Sequence, residues 1–378
     1  MAVCSFDHVR ICGVKTVVPE HFIDFADEIQ YYDNNPKKLA RQQKMNGYGR
    51  RYIADEKTTV TDMACYAAEM LMAEMSVKKA EIDLLVFVNQ KPDFTEPCDA
   101  CVAHGKLRLR KDCTTLDVSL GCSGYPHALM TAHALMTSGA FKVALVLAGD
   151  LCARTTDQTN RKGAPVFGDA ASATILRYTE EERKATFVTG TDGLGWDKIV
   201  HPAGGMYLPI RHDILDVKIT DENGNPFNLI SGQMKGADVF KFTMEVAPQL
   251  LLDTLTAAGW CKDEVDLFSI HQANKQILDM IIDKAGIPMD KAPTATFTNY
   301  ANNSTNSVVT VICDQAKGRE IGKTILCAFG IGLSWAGAAV DLSGLHNGGV
   351  EIYHTPDTAL DRAGRIKYWV ANFMGRDS

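Results

Sequence analysis

The sequence predicts an α/β protein built from two similar halves, and three observations carry that expectation. Short apolar runs of strand length alternate with longer runs of helical period. Two segments recur further along the chain at nearly one offset. The chain has 378 residues, enough for about two to three domains at roughly 150 residues each.

Taken in order, residues 81–88, 115–120 and 142–148 read as strands, and 60–75, 123–138 and 246–258 as helices between them. The segment 64–88 matches 247–271, each an apolar helix, a charged link, then Ile or Val followed by Asp-Leu and a strand, at a shift of 183 residues. A second match, 142–149 with 323–330, lies at a shift of 181. The repeat divides the chain into residues 1–185 and 186–343, with a loop-rich insertion at 202–233 that carries Gly204-Gly205 and a turn signal from Glu222 to Pro226. Residues 344–378 lie beyond the repeat. Bulky apolar and basic residues mix there from Arg365 to Met374, which reads as a helix packed on its own body; a partner or membrane-surface helix is the sharper alternative.

Composition narrows the function classes. Hydrophobic residues make up 46% and charged residues 22%, which excludes disorder, collagen-like repeats and coiled coil. Lysine and arginine number 39 against 46 acidic residues, a net charge of −7, so a general nucleic-acid binder is not expected. The N-terminus has charges at Asp7 and Arg10 and no signal-peptide pattern. The uncharged stretch 324–340 is broken by Gly330, Gly332 and Gly337 and reads as two buried strands around a turn, not as a membrane span. Eleven cysteines, mostly in apolar segments, point to reduced thiols and a cytoplasmic protein. The Cys98/Cys101 pair has no second ligand pair at zinc spacing, so no metal is expected and both read as small core residues.

The chemistry gathers at four places. The strand ending at Leu120 runs through Gly121-Cys122-Ser123-Gly124 into a helix, where free N–H groups and the helix dipole favour a thiolate able to take an acyl group. His271 closes a strand at the position that Val88 holds in the first half, and imidazole there suggests a task. Asn302 or Asn303, in the polar turn 298–304, can present an amide donor. The turn from Phe329 to Leu333 can bring a backbone N–H close to a carbonyl oxygen. His127 and His133 fall on other helix faces and read as structural.

Together these motifs resemble β-ketoacyl-[acyl-carrier-protein] synthase III, of the thiolase superfamily. The resemblance spans roughly residues 11–342 and rests on 117–124 around the cysteine, 166–170, 239–242, 271–274, 299–304 and 328–335. It implies a thiolase fold, two βαβαβαββ halves in five αβαβα layers, and a homodimer. It implies Cys122 as the acylated nucleophile, His271 and Asn302 as the thioester-holding pair, and the backbone N–H groups of Cys122 and Ile331 as the oxyanion hole. The implied reaction is decarboxylative condensation of an acyl thioester with malonyl-[acyl-carrier-protein], without metal or redox cofactor, from coenzyme A or carrier-protein thioesters.

Four departures qualify that picture. Arg41 falls near the family's adenine-stacking Trp, and Met45 replaces the Arg that follows. Gln276 replaces an Arg linked to carrier-protein contact, with Lys275 adjacent. Glu96 stands where the family places a large apolar residue that reaches the partner's acyl pocket, and a carboxylate is costly beside an alkyl chain. Lys37, Lys38, Arg41, Lys44, Arg50 and Arg51 form a basic run, either a coenzyme A contact or a solvated loop. Lys241 is either a phosphopantetheine or carrier contact or a plain surface lysine. The changed entrance keeps a second reading open, transfer of the acyl group to an alcohol or amine.

Overall fold

Strand Leu84–Asn89 is buried at all six positions, the signature of a strand covered on both faces. Its side chains alternate as the pleat requires. Leu84, Val86 and Val88 join one apolar cluster and Leu85 and Phe87 another on the opposite face. The computed structural model describes residues 1–373 apart from 161, 216, 221–223 and 225. The turn signal at 222–226 therefore falls largely outside the described residues, as does Met374.

Leu84–Asn89 belongs to a six-stranded sheet ordered His346–Tyr353, Val9–Pro19, Ala170–Tyr178, Val143–Asp150, Leu84–Asn89, Thr114–Ser119. A five-stranded sheet runs Ala2–Phe6, Ala185–Thr191, Ser334–Asp341, Lys323–Gly330, Leu267–Ile270. The repeat explains both. Val9–Pro19, Ala170–Tyr178, Val143–Asp150 and Leu84–Asn89 pair antiparallel, antiparallel and parallel. Ala185–Thr191, Ser334–Asp341, Lys323–Gly330 and Leu267–Ile270 pair in the same sense and order. Thr114–Ser119 has no paired counterpart among the described residues, because the chain there forms the short helix Ala295–Tyr300.

Each sheet also takes one strand from the far end of the chain. Ala2–Phe6 pairs with Ala185–Thr191, and His346–Tyr353 pairs with Val9–Pro19. The second strand is bound in by a buried cation: Lys15 Nζ lies 2.7 Å from Glu74 Oε1 and donates to the Gly348 carbonyl at 3.1 Å. The start of the segment beyond the repeat is thus part of the first sheet. Only its end, the helix Arg362–Phe373, stands outside, and no residue of that helix is buried.

Between the sheets lie helices Gly124–Met136 and Ser307–Gln315, and their apolar residues meet side chains from both sheets in one core. Val60–Glu74 and Asp99–Leu107 cover the outer face of the first sheet. Gly236–Ala258 and Lys275–Ala285 cover the outer face of the second. Gly236–Ala258 begins ten residues before the helix read from sequence at 246–258, because its first residues are mostly exposed and add little to the buried stripe. The result is α, β, α, β, α in five layers.

Candidate active site

The cysteine turn lies between the edge strand Thr114–Ser119 and the central helix Gly124–Met136. Its glycines are required for space rather than for backbone freedom. A Cβ on Gly121 would fall 2.1 Å from Gln90 Oε1 and 2.6 Å from Ile331 Cγ2, and one on Gly124 would fall 2.6 Å from Val88 Cγ2. Cys122 keeps part of its surface accessible.

Ser304 is the hub around that sulfur. Its Oγ lies 4.0 Å from Cys122 Sγ, and its backbone N–H donates to Asn302 Oδ1 at 2.9 Å. Ser307 Oγ also lies 3.3 Å from Asn302 Oδ1. With the oxygen so occupied, the amide's remaining face is the NH₂ donor. The Asn302 main chain is held in turn by the segment 166–168: its N–H donates to the Val166 carbonyl at 2.9 Å, and its carbonyl accepts from Gly168 at 3.1 Å. A Cβ on Gly168 would collide with the Tyr300 carbonyl at 2.3 Å. Asn303 is turned away, its Nδ2 on the Tyr300 carbonyl at 3.0 Å. Of the two asparagines, Asn302 is the one whose carboxamide bonds Ser304, the residue beside the cysteine sulfur.

His271 follows the strand Leu267–Ile270, with its backbone N–H on the Cys327 carbonyl at 2.8 Å and its ring edge-on to Phe329. The ring is buried, and its Nδ1 has no hydrogen-bond partner among the described residues. Burial pushes its pKa down to about 4, with the Ser304 backbone acting in the opposite direction. The imidazole is therefore neutral at pH 7.

The hairpin joining strand Lys323–Gly330 to strand Ser334–Asp341 supplies the fourth element. Gly330, at φ 157°, sits so close that a Cβ there would meet Cys122 Cβ at 2.7 Å and Sγ at 2.9 Å. The hairpin is stapled to the cysteine turn by Ser123 Oγ and Ser334 Oγ at 2.7 Å, and Ser334 Oγ donates to the Ile331 carbonyl at 2.8 Å. The Ile331 and Cys122 backbones each pull the thiol's pKa down, by less than burial raises it.

One expectation is corrected here. Burial, and next the Asp150 carboxylate, push the Cys122 thiol up to about 11, against the pull of Ile331, Ser304 and its own N–H. The resting sulfur is a thiol, not a thiolate. The helix starts only at Gly124, with Ser123 at the N-cap position making no side-chain capping bond, so the cysteine stands outside its first turn. Asp150 is buried and engaged with Gln90 and Thr305. The role of Ser304 as hub was missed from sequence, although the residue lies inside the 299–304 motif.

The outlying residues separate. Arg41 and Met45 line one surface cleft of about 580 Å³ beside Tyr32, Lys38, Tyr48 and Lys162. Of the basic run, only Lys37, Lys38, Arg41 and Lys44 stand exposed, on helix Pro36–Asn46. Arg50 forms a two-pronged pair with Asp24, and Arg51 is buried on Glu28 Oε1 at 2.6 Å and Gln158 Oε1 at 2.8 Å. Lys275 packs under Gly47, at the end of that helix, and pairs with Asp279 at 2.5 Å. Lys241 is exposed, 4.0 Å from Glu245. Glu96 is exposed on its loop.

Cys98 and Cys101 are exposed rather than core residues, because they open the helix Asp99–Leu107 on its outer side. Among the described residues no cluster of three or more His, Cys, Asp or Glu is placed to hold a metal ion. Nor is any described helix long and apolar enough to cross a membrane. His127 and His133 each bond a carbonyl one turn back, Ser123 at 2.9 Å and Leu129 at 2.7 Å.

Comparison with known proteins agrees with this geometry. Residues 116–193 match the family model of 3-oxoacyl-[acyl-carrier-protein (ACP)] synthase III, and 255–342 match that of its C-terminal part. A Campylobacter jejuni protein provisionally named 3-oxoacyl-[acyl-carrier-protein] synthase 3 is 33% identical, over 92% of this chain and 98% of its own. This chain belongs to the synthase III family. The β-ketoacyl-[acyl-carrier-protein] synthase III of Rhodopirellula baltica is 29% identical over 87% of this chain and 97% of its own. The crystal structure of a 3-oxoacyl-(acyl-carrier protein) synthase from Burkholderia xenovorans LB400 superposes with a TM-score of 0.85 at 32% identity, covering 93% of this chain and 99% of that one. As a synthase III, the protein is an enzyme with the thiolase fold, and its two matched regions contain the cysteine turn and the His271 and Asn302 segments respectively.

Proposed function

We propose that the enzyme joins an acyl group to malonyl-[acyl-carrier-protein] by decarboxylative condensation through an acyl-Cys122 intermediate. The observation that carries this reading is the close approach to one sulfur of the Gly330 hairpin and of the Ser304 hub that holds Asn302.

In the first step the Cys122 sulfur attacks the thioester carbonyl. The carbonyl oxygen takes up charge against the N–H groups of Cys122 and Ile331, the thiol proton passes to the departing thiolate, and acyl-Cys122 remains. In the second, the malonyl thioester oxygen lies against neutral His271 and the Asn302 NH₂. Both stabilise the enolate formed as carbon dioxide leaves, without a formal positive charge being buried beside it. The enolate carbon attacks acyl-Cys122, the tetrahedral oxygen returns to the same N–H pair, and the sulfur leaves to regain a proton. Residues 1–185 contribute the nucleophile, 186–343 the donors, and 344–378 an extension.

The acyl donor reaches the site past Arg41 and Met45 as a coenzyme A or carrier-protein thioester, with Lys241 and Lys275 as carrier contacts. We further read the protein as a cytoplasmic homodimer that works in fatty-acid synthesis without metal or redox cofactor. The unpaired outer edge of Thr114–Ser119, with Leu116 exposed, supports the dimer.

The test is intact-protein mass spectrometry after incubation with acyl-coenzyme A and acyl-carrier protein, then with malonyl-carrier protein. Acyl mass on the wild type and none on Cys122→Ser is expected, followed by a ketone-extended product. Labelling that survives the substitution overturns the nucleophile. Glu96 at the family's apolar position favours one other outcome, transfer to an alcohol or amine with no carbon dioxide released.

A further inference from the structure

The helix Arg362–Phe373 ends the described chain with an uncovered apolar stripe. Ile366, Trp369, Val370 and Phe373 recur at i, i+3, i+4 and i+7, and they are 56%, 42%, 53% and 82% exposed. Apolar surface of this kind marks an interaction site rather than a solvated face. The helix is nonetheless seated at one end: Arg365 donates to the Lys57 carbonyl, and Trp369 meets Phe94 edge-on at 6.2 Å between ring centres.

That seat lies on a continuous face. Phe94 belongs to the loop before helix Asp99–Leu107, and the neighbouring Asp93 donates its N–H to the Asp99 carboxylate at 3.1 Å. The first turn of that helix is fastened to the edge strand, with the N–H groups of Asp99 and Ala100 on the Asp117 carboxylate at 2.8 and 2.7 Å. Tail helix, loop, second helix and unpaired strand edge therefore follow one another without a gap. An unpaired edge that pairs with its own copy about a twofold axis places these neighbours at the same boundary. Charge agrees: the helix has Arg362, Arg365 and Lys367 and no acidic residue, whereas the whole chain carries −7.

We propose that the apolar stripe of helix Arg362–Phe373 docks on a second copy of this chain, extending the subunit interface that begins at the edge of Thr114–Ser119. The proposal rests on the dimer reading above and adds a clasp to it.

The experiment is sedimentation equilibrium on the full chain, on the double variant Ile366→Glu/Val370→Glu and on Phe373→Asp, with circular dichroism for folding. All three sites are exposed, and Phe373 lies at the helix end, so at least that variant keeps the fold. We expect a wild-type dimer whose dissociation constant rises at least tenfold in each variant. A monomeric wild type defeats the dimer reading together with this proposal. A wild-type dimer that the variants leave equally tight defeats the clasp alone. The same proteins are spun with anionic phospholipid vesicles; vesicle binding lost in the variants, with dimerisation unchanged, assigns the stripe to a lipid surface and overturns the proposal.

Discussion

The backbone N–H of Ser304 donates to Asn302 Oδ1 at 2.9 Å, and this bond decides which end of the amide is offered to a substrate. The donor is main-chain, so Oδ1 is the acceptor and NH₂ the free end. Ser304 reaches its position with φ 50°, and Ala301 before the asparagine has φ 57°. The local backbone is thus bent twice to aim one carboxamide.

Asn302→Asp keeps the acceptor for Ser304 but removes the donor. Condensation should fall about 100- to 1,000-fold, the usual loss for one oxyanion donor, while acylation of Cys122 continues. Rapid-quench measurement of the two half-reactions separates them. Equal loss in both would show that Asn302 supports the fold of the site instead. Ser304→Ala, which retains the N–H, should cost less than about tenfold on the same scale.

Gly330→Ala is a test of space. The added Cβ would stand 2.9 Å from the Cys122 sulfur at a φ that L-residues avoid. The sulfur must move by a fraction of an ångström to an ångström, and displacement of that order costs about 100-fold. Acylation and condensation should both drop by that factor, and the strained φ should also lower the melting temperature without unfolding the protein at about 25 °C. Wild-type acylation in this variant would mean that the nucleophile works from another position.

The thiol's raised pKa has a pH signature. Below about 11 the Cys122 sulfur retains its proton, so the thiolate fraction grows tenfold per pH unit from 7 to 10. Alkylation of the Cys122 peptide by iodoacetamide, followed by mass spectrometry, should rise at that rate, whereas an ordinary cysteine levels off near 8.5. A plateau by pH 8 would restore the thiolate expected from sequence.

The features that sequence reading could single out are those whose constraint is local. The offset between 64–88 and 247–271 foretold two sheets with the same strand order, because a repeated pattern of burial folds into a repeated pairing. Cys122, His271 and Asn302 could be singled out as candidates because their motifs sit at strand ends and turns. Ser304 as hub was not, since its effect runs through a backbone N–H that any residue but proline carries. The thiol's protonation was misjudged for a related reason: a helix start is visible in sequence, but burial and the distant Asp150 are tertiary. Arg50 and Arg51 looked like part of a substrate-facing run because their partners Asp24 and Glu28 lie more than twenty residues away.

That difference gives the last prediction. Arg51 and Glu28 have side chains only 4% exposed and meet at 2.6 Å. Arg51→Met leaves the glutamate buried without its cation, a loss of about 3–5 kcal/mol in comparable pairs. Arg41, in contrast, is exposed on helix Pro36–Asn46 and lines an open cleft, so Arg41→Ala removes charge without uncovering a buried partner. Thermal unfolding should therefore show a fall of several degrees for Arg51→Met and almost none for Arg41→Ala. Steady-state kinetics with acyl-coenzyme A should show the reverse, a raised KM for Arg41→Ala. A raised KM at unchanged stability for Arg51→Met would place that arginine at the substrate after all, and an unaltered KM for Arg41→Ala would remove the cleft from the donor's path.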